Sequence, residues 1–466
     1  MEGRSLAAGY IISMAACDLS MTVAEKGMVN AATFIGIVTT AIFWGYLSDR
    51  HGRRAVMMPT LLAAASASFS SSLSSNFLSM FLLRVLTGCL VSASSATVYA
   101  YLGEMHTNVR RAAAIAWGSV FISITFLVLP GLAWIILPGK WYFYIGSIKV
   151  VSWRVFMWSW CIPGLVSSIL LFVLPESPRY LLASKGPEKA LRVLALMYAW
   201  NNKKKKDDFP VKSITTTARD TQSNNPTGFK GICSSLGHML KPPLLKCVLI
   251  SHCCMFLVFM LSSGMYMWMP DIVNHALQNI KKSVSICNIM INRNSSLSNH
   301  DTDTACEQNI NSLTYPTSMA MGVLCALTYL AIGFLIEKFK KRHLFGMIVS
   351  VCSILLVASV LVPQPGVGVV LFVLGLCSGC AASLLAAVAV EIFPTSQRAL
   401  ALCMLYMTGR LGAAFGANLL GYGLHSYCIL IVICCALITA ASNLLLFLWP
   451  EATKVRAEME ARGLTY

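Results

Sequence analysis

The sequence predicts an all-α, multi-span membrane protein made of two related six-helix bundles, and three observations carry that expectation. The first is composition: of 466 residues, 56% are hydrophobic and 12% charged, about half the ~25% charged share of a soluble chain. The second is a succession of apolar stretches long enough to cross a bilayer, which takes about 20 residues of helix. The third is an internal repeat of charged loop motifs. The formal charge of +17 would point to nucleic acid in a soluble protein. In a chain this apolar it faces a cytoplasm instead, and no nucleic-acid partner is expected.

Eleven stretches qualify as spans, in order 28–44, 55–73, 77–101, 112–136, 155–174, 244–268, 318–336, 344–362, 367–390, 399–419 and 427–449. Before them, residues 6–16 form an apolar run too short to span. It reads as a signal-peptide core, an interfacial segment, or the surviving end of a first helix. The basic residues set the orientation. If the loop after the first full span is cytoplasmic, that side receives 26 of the 36 Lys and Arg, and the opposite side seven. The C-terminus is then inside.

Two loops are long. Residues 175–243 are polar and basic, with the run Lys203, Lys204, Lys205 and Lys206, and read as a cytoplasmic linker, solvated in the middle. A basic lipid-binding patch is the other reading. The domains expected are therefore 1–174, a first bundle with an incomplete first helix; 175–243, the linker; and 244–466, a second bundle. Within the second bundle, loop 270–314 lies on the extracellular or luminal side. It carries the sequon asparagine Asn294 and two cysteines, Cys287 and Cys306, expected to pair on the oxidising side. The remaining cysteines act as small hydrophobes. Cys377-Ser378-Gly379-Cys380 has redox spacing but reads better as small-residue packing within a membrane helix.

The repeat is set by spacing. Gly45, Asp49, Arg50, Gly52, Arg53 and Arg54 follow the first full span, and Gly333, Glu337, Lys338, Lys340, Lys341 and Arg342 recur later with the same glycine-to-carboxylate step. Glu104 precedes Arg111 by seven residues, as Glu391 precedes Arg398. Each half also ends in a Pro-Glu pair, Pro175-Glu176 and Pro450-Glu451. Six spans in the second half require six in the first, so residues 6–16 are read as the end of a truncated first helix.

Gly45 to Arg54 resembles the loop signature G-x-L-x-D-R-x-G-R-R of the major facilitator superfamily at every defined position. Arg84-Val-Leu-Thr-Gly88 resembles the family's span-four arginine motif, and Pro175-Glu-Ser-Pro-Arg179 the close of a sugar-porter first half. Glu391-Ile-Phe-Pro394-Thr395-Ser-Gln-Arg398 resembles the E-x-x-P-T-x-x-R element of sugar, organic-ion and synaptic-vesicle members. Ile145-Gly-Ser147 and Ser152-Trp-Arg-Val-Phe156, with the glycosylatable outer loop, are most similar to the synaptic vesicle glycoprotein 2 and SVOP-like branch. The outer loop is shorter than in vertebrate members, Lys340 replaces a glycine, and the first helix is cut short. That helix lines the cavity in relatives, so either the start of the chain is missing or transport has been lost.

The resemblance implies a major facilitator fold whose bundles rock about a midplane site. We expect a cytoplasmic charge network of Asp49, Arg53, Glu104 and Arg111 to hold the outward-open state, mirrored by Glu337, Arg342, Glu391 and Arg398. Gly45 and Gly52 would permit a sharp turn and close helix approach. The plainer reading is that the basic residues only set topology, which leaves the repeated carboxylates without a role.

Arg410 lies near mid-membrane, where a charge is costly and usually functional. Its planar donor fork suits carboxylate, sulfate or phosphate. Organic-anion carriers resemble this chain in placing a basic residue at that step. Arg410 is thus a candidate substrate contact, with Tyr406, Tyr266 and Trp268 as walls; alternatively it is satisfied internally and binds nothing. Arg84 and His252 are read as structural. Without an acid deep in any full span, uniport or exchange fits better than proton coupling.

The sequence holds no GxxxxGK[ST] nucleotide loop, no zinc spacing and no nucleophile–base arrangement, so an enzyme, a cofactor and an ATP-driven pump are not expected. The function expected is secondary transport of a small organic solute, an organic anion, by alternating access. Its partners are that solute and the lipid bilayer, its state a monomer, and its location the plasma membrane or an intracellular vesicle. The alternative is a transport-inactive vesicle protein or receptor that keeps the fold.

Overall fold

The structure, a computed structural model, describes residues 15, 18, 19, 21, 23–107, 109–139, 141–146, 148–214, 229–242, 244–297, 313–393, 397–423 and 427–447. Apart from Ala15, the stretch 6–16 lies outside the described residues, as do Cys306, Pro394, Thr395 and the Pro450-Glu451 pair. The first half runs through α1 (Val23–His51), α2 (Arg53–Ser72), α3 (Phe77–Glu104), α4 (Arg111–Ile136), a hairpin of β1 (Tyr142–Ile145) and β2 (Ile148–Val151), and α5 (Ser152–Val173). The segment read as a linker carries α6 (Pro178–Lys185), α7 (Pro187–Asn202) and α8 (Phe229–Met239). The second half follows with α9 (Leu244–Tyr266), α10 (Met269–Gln278), α11 (Ile286–Leu297), α12 (Thr314–Leu335) and α13 (Lys341–Leu361). Last come α14 (Pro365–Leu376), a 3-10 turn at Cys377–Ala381, α15 (Ala382–Ile392), α16 (Arg398–Gly423) and α17 (Cys428–Phe447).

Among the described residues, ten helical stretches are long and apolar enough to cross a membrane, with α14 and α15 counted as one. They occupy ten of the eleven expected spans. The eleventh, 55–73, is helix α2, which Ser66, Ser68, Ser70, Ser71 and Ser72 make less apolar than the others.

Local signals explain the joints. A single residue, Gly52, links α1 to α2 at φ 111°, a conformation open to glycine and rare for side-chain-bearing residues. Asn76 caps α3 by accepting from the Ser79 amide at 2.9 Å, which satisfies one of the orphan donors of a helix start. The small residues of the 3-10 turn let α9 come close: a Cβ on Gly379 would sit 2.9 Å from Ser262 Oγ. Cys377 and Cys380 are both free and buried, in keeping with a packing role.

Helix pairing follows the repeat. Across the halves, α1 packs on α16 and α4 on α12. The sequence repeat equates α1 with α12, through Asp49 and Glu337, and α4 with α16, through Arg111 and Arg398. Each inter-half contact is therefore the image of the other. Both signature glycines sit at these junctions. A Cβ on Gly45 would lie 2.8 Å from Leu400 Cα, and one on Gly333 3.1 Å from the Trp117 ring. One continuous apolar core joins both halves. The outward faces keep large exposed side chains such as Phe121, Ile135 and Phe172, as a lipid-facing surface requires.

Two features depart from the expectation. The hairpin adds a small antiparallel sheet to an otherwise helical molecule, with Ile145 opposite Ile148 around a left-handed Gly146. The disulfide expectation is corrected: Cys287 bonds to Cys428, not to Cys306, with Cα atoms 5.4 Å apart. The reason is that α11 folds back over the end of the bundle and brings Cys287 to the first residue of α17. The sequon asparagine, Asn294, falls in α11, and its side chain lies outside the described residues.

Candidate functional site

The basic loops gather at one end of the bundles, and there the signature residues form a lock between the halves. Asp49 lies in the last turn of α1. Its carboxylate accepts from Arg53 Nη2 at 2.8 Å, from the Ala399 amide at 3.3 Å and from the Leu400 amide at 3.0 Å. A carboxylate of the first half thus caps the N-terminus of α16 in the second, where unpaired amides and the helix dipole favour negative charge. Gly45, one turn earlier on α1, leaves room for that approach.

Arg53, 1% exposed, reaches from Asp49 to Glu104 Oε1 at 3.1 Å. The same Oε1 accepts from Arg398 Nη1 at 3.4 Å, and Oε2 accepts from Ser177 Oγ at 2.6 Å. Glu104 is therefore shared by two arginines from opposite halves. Arg398 also donates to the Phe393 carbonyl at 3.2 Å, at the end of α15. Arg111 crosses the junction differently: it donates to the carbonyls of Gly103 at 3.0 Å and Val390 at 3.4 Å. Arg53, Glu104 and Arg111 are buried here, and the Asp49 side chain is 7% exposed.

Two further residues belong to the lock and were not assigned to it from sequence. Glu176 accepts from the backbone amides of Arg53, Arg54 and Ala55 at 3.0, 3.1 and 3.2 Å, capping α2. Tyr180 places its ring 5.1 Å from the Arg53 guanidinium and donates its hydroxyl to the Arg50 carbonyl at 2.8 Å. Both lie in the Pro175-Glu-Ser-Pro-Arg179 stretch or just after it, so that motif was the available signal. Arg50 and Arg54 stand outside the network. Arg50 donates to the Tyr46 hydroxyl, and Arg54 caps the end of α5 through the Leu171 and Phe172 carbonyls.

The expected mirror forms only in part. Glu391 pairs with Lys341, not with Arg342, because Lys341 is the residue in register with Arg53. Arg398 is drawn into the first network. Glu337, the counterpart of Asp49, is exposed, and among the described residues neither it nor Arg342 makes an ion pair.

One to two helical turns from the lock, at roughly 1.5 Å per residue, a cavity of about 40 Å³ lies between the halves. It has room for a few waters. Its walls carry Tyr99 and Ser119 from the first half, and Ser262, Tyr266, Tyr329, Ser383 and Tyr406 from the second. Tyr99 and Tyr406 stack across the junction with centroids 5.2 Å apart, and Phe126 meets Tyr266 edge-on at 4.8 Å. Among the described residues, no lining residue is charged.

Of the four expected substrate contacts, Tyr406 and Tyr266 line this cavity; Trp268 and Arg410 do not. Trp268 donates its indole to the Ala417 carbonyl at 2.8 Å. Arg410 is buried one layer back, its guanidinium 5.5 Å from the ring of Phe259, itself a wall residue. Tyr99, Tyr329 and the cavity serines carried no motif; their only signal is a hydroxyl inside an apolar span. Arg84 contacts Met157 Sδ at 3.7 Å, and His252 Nδ1 lies 2.8 Å from the Val248 carbonyl; neither lines the cavity.

Two helical bundles with exchanged inter-half contacts, a charged lock at one end and a cavity beside it define a multi-pass membrane protein of the transporter class. The chain belongs to the major facilitator superfamily: the family model described as Major Facilitator Superfamily matches residues 3–290 and 309–463. It is similar to synaptic vesicle glycoprotein 2A of Homo sapiens, 27% identical over 288 residues, covering 57% of this chain and 39% of the relative. Synaptic vesicle glycoprotein 2C of Rattus norvegicus is 24% identical over 288 residues, with 57% and 40% covered. The match thus spans about two fifths of these curated relatives. Among solved structures, the fold is similar to the proton:xylose symporter XylE bound to 6-bromo-6-deoxy-D-glucose, with a TM-score of 0.64 at 16% identity, covering 96% of this chain and 94% of that one. XylE is the xylose transporter from E. coli. The human organic anion transporter MFSD10 gives a TM-score of 0.54 at 14% identity, with 95% and 98% covered.

Proposed function

We propose that the protein is a secondary transporter that moves a small organic solute through the membrane by alternating access. The basic end faces the cytoplasm by the charge bias of its loops. The Asp49–Arg53–Glu104–Arg398 lock holds that end shut, and its release lets the bundles tilt about the cavity. The observation that carries this reading is the Asp49 carboxylate capping α16 of the opposite half, next to a cavity walled by both halves. A contact of this kind exists in one rocking state and must break in the other.

The solute class we propose is an organic anion, drawn by the buried cation of Arg410 behind Phe259. In a low-dielectric interior a cation one residue-layer away still acts strongly on an anion. The uncharged cavity walls favour a second reading, a neutral hydroxylated or aromatic solute held by tyrosine rings and hydroxyls. The likeness to synaptic vesicle proteins supports an intracellular vesicle, with the plasma membrane as the alternative.

Uptake of anionic, neutral and cationic solutes into vesicles holding the full chain tests these readings. The expected result is saturable anion uptake that falls about tenfold or more in Arg410→Ala, the loss of the electrostatic attraction that the buried cation exerts through Phe259. Uptake of neutral solutes unchanged by Arg410→Ala selects the second reading. Saturable uptake that persists undiminished in Asp49→Asn would remove the lock from the mechanism.

A further inference from the structure

Two buried thiols meet between elements rather than within the Cys377-Ser378-Gly379-Cys380 stretch. Cys325, on α12, donates its thiol to the sulfur of Cys377, the first residue of the 3-10 turn, at 3.9 Å. Cys377 in turn donates to the Val373 carbonyl at 3.8 Å, and Cys380 to the Cys325 carbonyl at 3.9 Å. All three are free cysteines. The Cys380 thiol is thus directed at backbone, while that of Cys325 is directed at a second sulfur. Closing this contact to the ~2.0 Å of a disulfide takes a movement of roughly 2 Å.

The pair has both a route for a reagent and a position where a bond would matter. Cys325 lines the cavity between the halves, which has room for a few waters and so admits an oxidant of that size. Hydrogen peroxide, the smallest hydroperoxide, meets that limit and oxidises thiols. Cys325 also stands at the junction of the halves. Gly322, one turn earlier on α12, lies so close to α4 that a Cβ there would sit 2.5 Å from the Leu127 amide nitrogen. Helix α15, which continues from the 3-10 turn, packs on α4 as well. A bond from Cys325 to Cys377 would tie together two elements of the second half that both bear on the first.

We propose that Cys325 and Cys377 are a reversible redox pair: a hydroperoxide entering the cavity oxidises them to a disulfide, and the bond hinders the tilting of the bundles. In the forward step the Cys325 sulfur attacks the O–O bond, giving a sulfenic acid and one water. The Cys377 sulfur then attacks that sulfur, the S–S bond forms and a second water leaves. Two thiols and one peroxide become one disulfide and two waters, with two electrons passing from sulfur to oxygen. In the reverse step two molecules of a small thiol of the glutathione class reduce the bond by exchange and leave as their own disulfide. The inference rests on the alternating-access reading, since tilting is what opens the cavity to these reagents.

The test uses the purified full chain in phospholipid vesicles treated with hydrogen peroxide. Free thiols are capped with N-ethylmaleimide, the chain is digested without reduction, and linked peptides are sequenced by mass spectrometry. The expected product is a Cys325–Cys377 pair that dithiothreitol removes, formed at wild-type yield in Cys380→Ser and absent from Cys377→Ala. No linked pair in treated wild type, or a pair joining Cys380 to either partner instead, overturns the proposal. Uptake of the solutes named above is measured on the same vesicles. It should fall in proportion to the fraction of chains linked, recover with dithiothreitol, and resist peroxide in Cys377→Ala. Cys377 does not line the cavity, so untreated Cys377→Ala should match wild type. Uptake that stays unchanged while the pair is linked, or that peroxide lowers equally in wild type and Cys377→Ala, also overturns the proposal. A chain that forms the linked pair but shows no saturable uptake even untreated removes the transport reading while upholding the redox pair.

Discussion

Glu104 is the residue on which the lock turns, because its one carboxylate balances Arg53 from the first half and Arg398 from the second. Removing that charge takes away one of the two carboxylates on the buried Arg53, which keeps Asp49, and the Glu104 contact of the buried Arg398. Breaking a buried ion network in this way costs about 3–5 kcal/mol. Glu104→Gln keeps the shape and the Ser177 contact, so the loss should appear as a lower Tm of the reconstituted protein rather than as misassembly. A Tm equal to wild type would mean that Glu104 is not the shared counter-charge. Much of this was legible in the sequence, because Asp49, Arg53, Glu104 and Arg398 sit in motifs repeated at fixed spacing. Arg342 was the wrong mirror residue: the repeat register places Lys341 opposite Glu391, and a run of adjacent basic residues hides a one-position shift. Glu176 and Tyr180 were invisible as partners because their contacts reach back more than 120 residues along the chain.

At the level of elements, the apolar spans and their order could be read from hydropathy, whereas the outer elements could not. Cys428 looked like one more small hydrophobe at the edge of a span, and only the fold-back of α11 brings Cys287 to it. A sequence argument pairs cysteines within one loop because proximity along the chain is all it sees. The bond ties α11 to the start of α17 across 141 residues. Closing a loop of that length restrains the unfolded chain by several kcal/mol in the entropic account, about 2–5 kcal/mol in practice. Peptide mapping without reduction should recover a Cys287–Cys428 linked pair from wild type and from Cys306→Ser alike. Loss of the linked pair in Cys306→Ser, or recovery of a Cys287–Cys306 peptide from wild type, would contradict the arrangement. The hairpin β1–β2 was likewise hidden, since its aromatic first strand and aliphatic second strand read as the apolar margin between two spans.

For the whole molecule, pseudo-symmetry relates the α1–α16 and α4–α12 junctions, yet the charges treat them differently. Gly45 and Gly333 allow close approach at both, but among the described residues only the first is sealed by a carboxylate capping the opposite helix. The asymmetry follows from the loops: Gly52 lets α2 start directly after α1 with Glu176 seated on its first amides, while Lys340 stands at the corresponding glycine position before α13. A barrier to opening that is concentrated in one junction has a measurable consequence. Cys380 lines the cavity and is shielded from the basic end while the lock holds. In a chain whose other free cysteines are serine, Asp49→Asn should raise labelling of Cys380 by a water-soluble maleimide applied from the basic side. The expected increase is about tenfold or more, matching the loss of a charge-assisted contact. Glu337→Gln, assayed in phosphatidylcholine vesicles, should leave the labelling rate at the wild-type value, because no inter-half ion pair depends on it among the described residues. Equal acceleration by both variants would mean that the two junctions share the barrier and that the sequence repeat, not the observed charge asymmetry, governs opening.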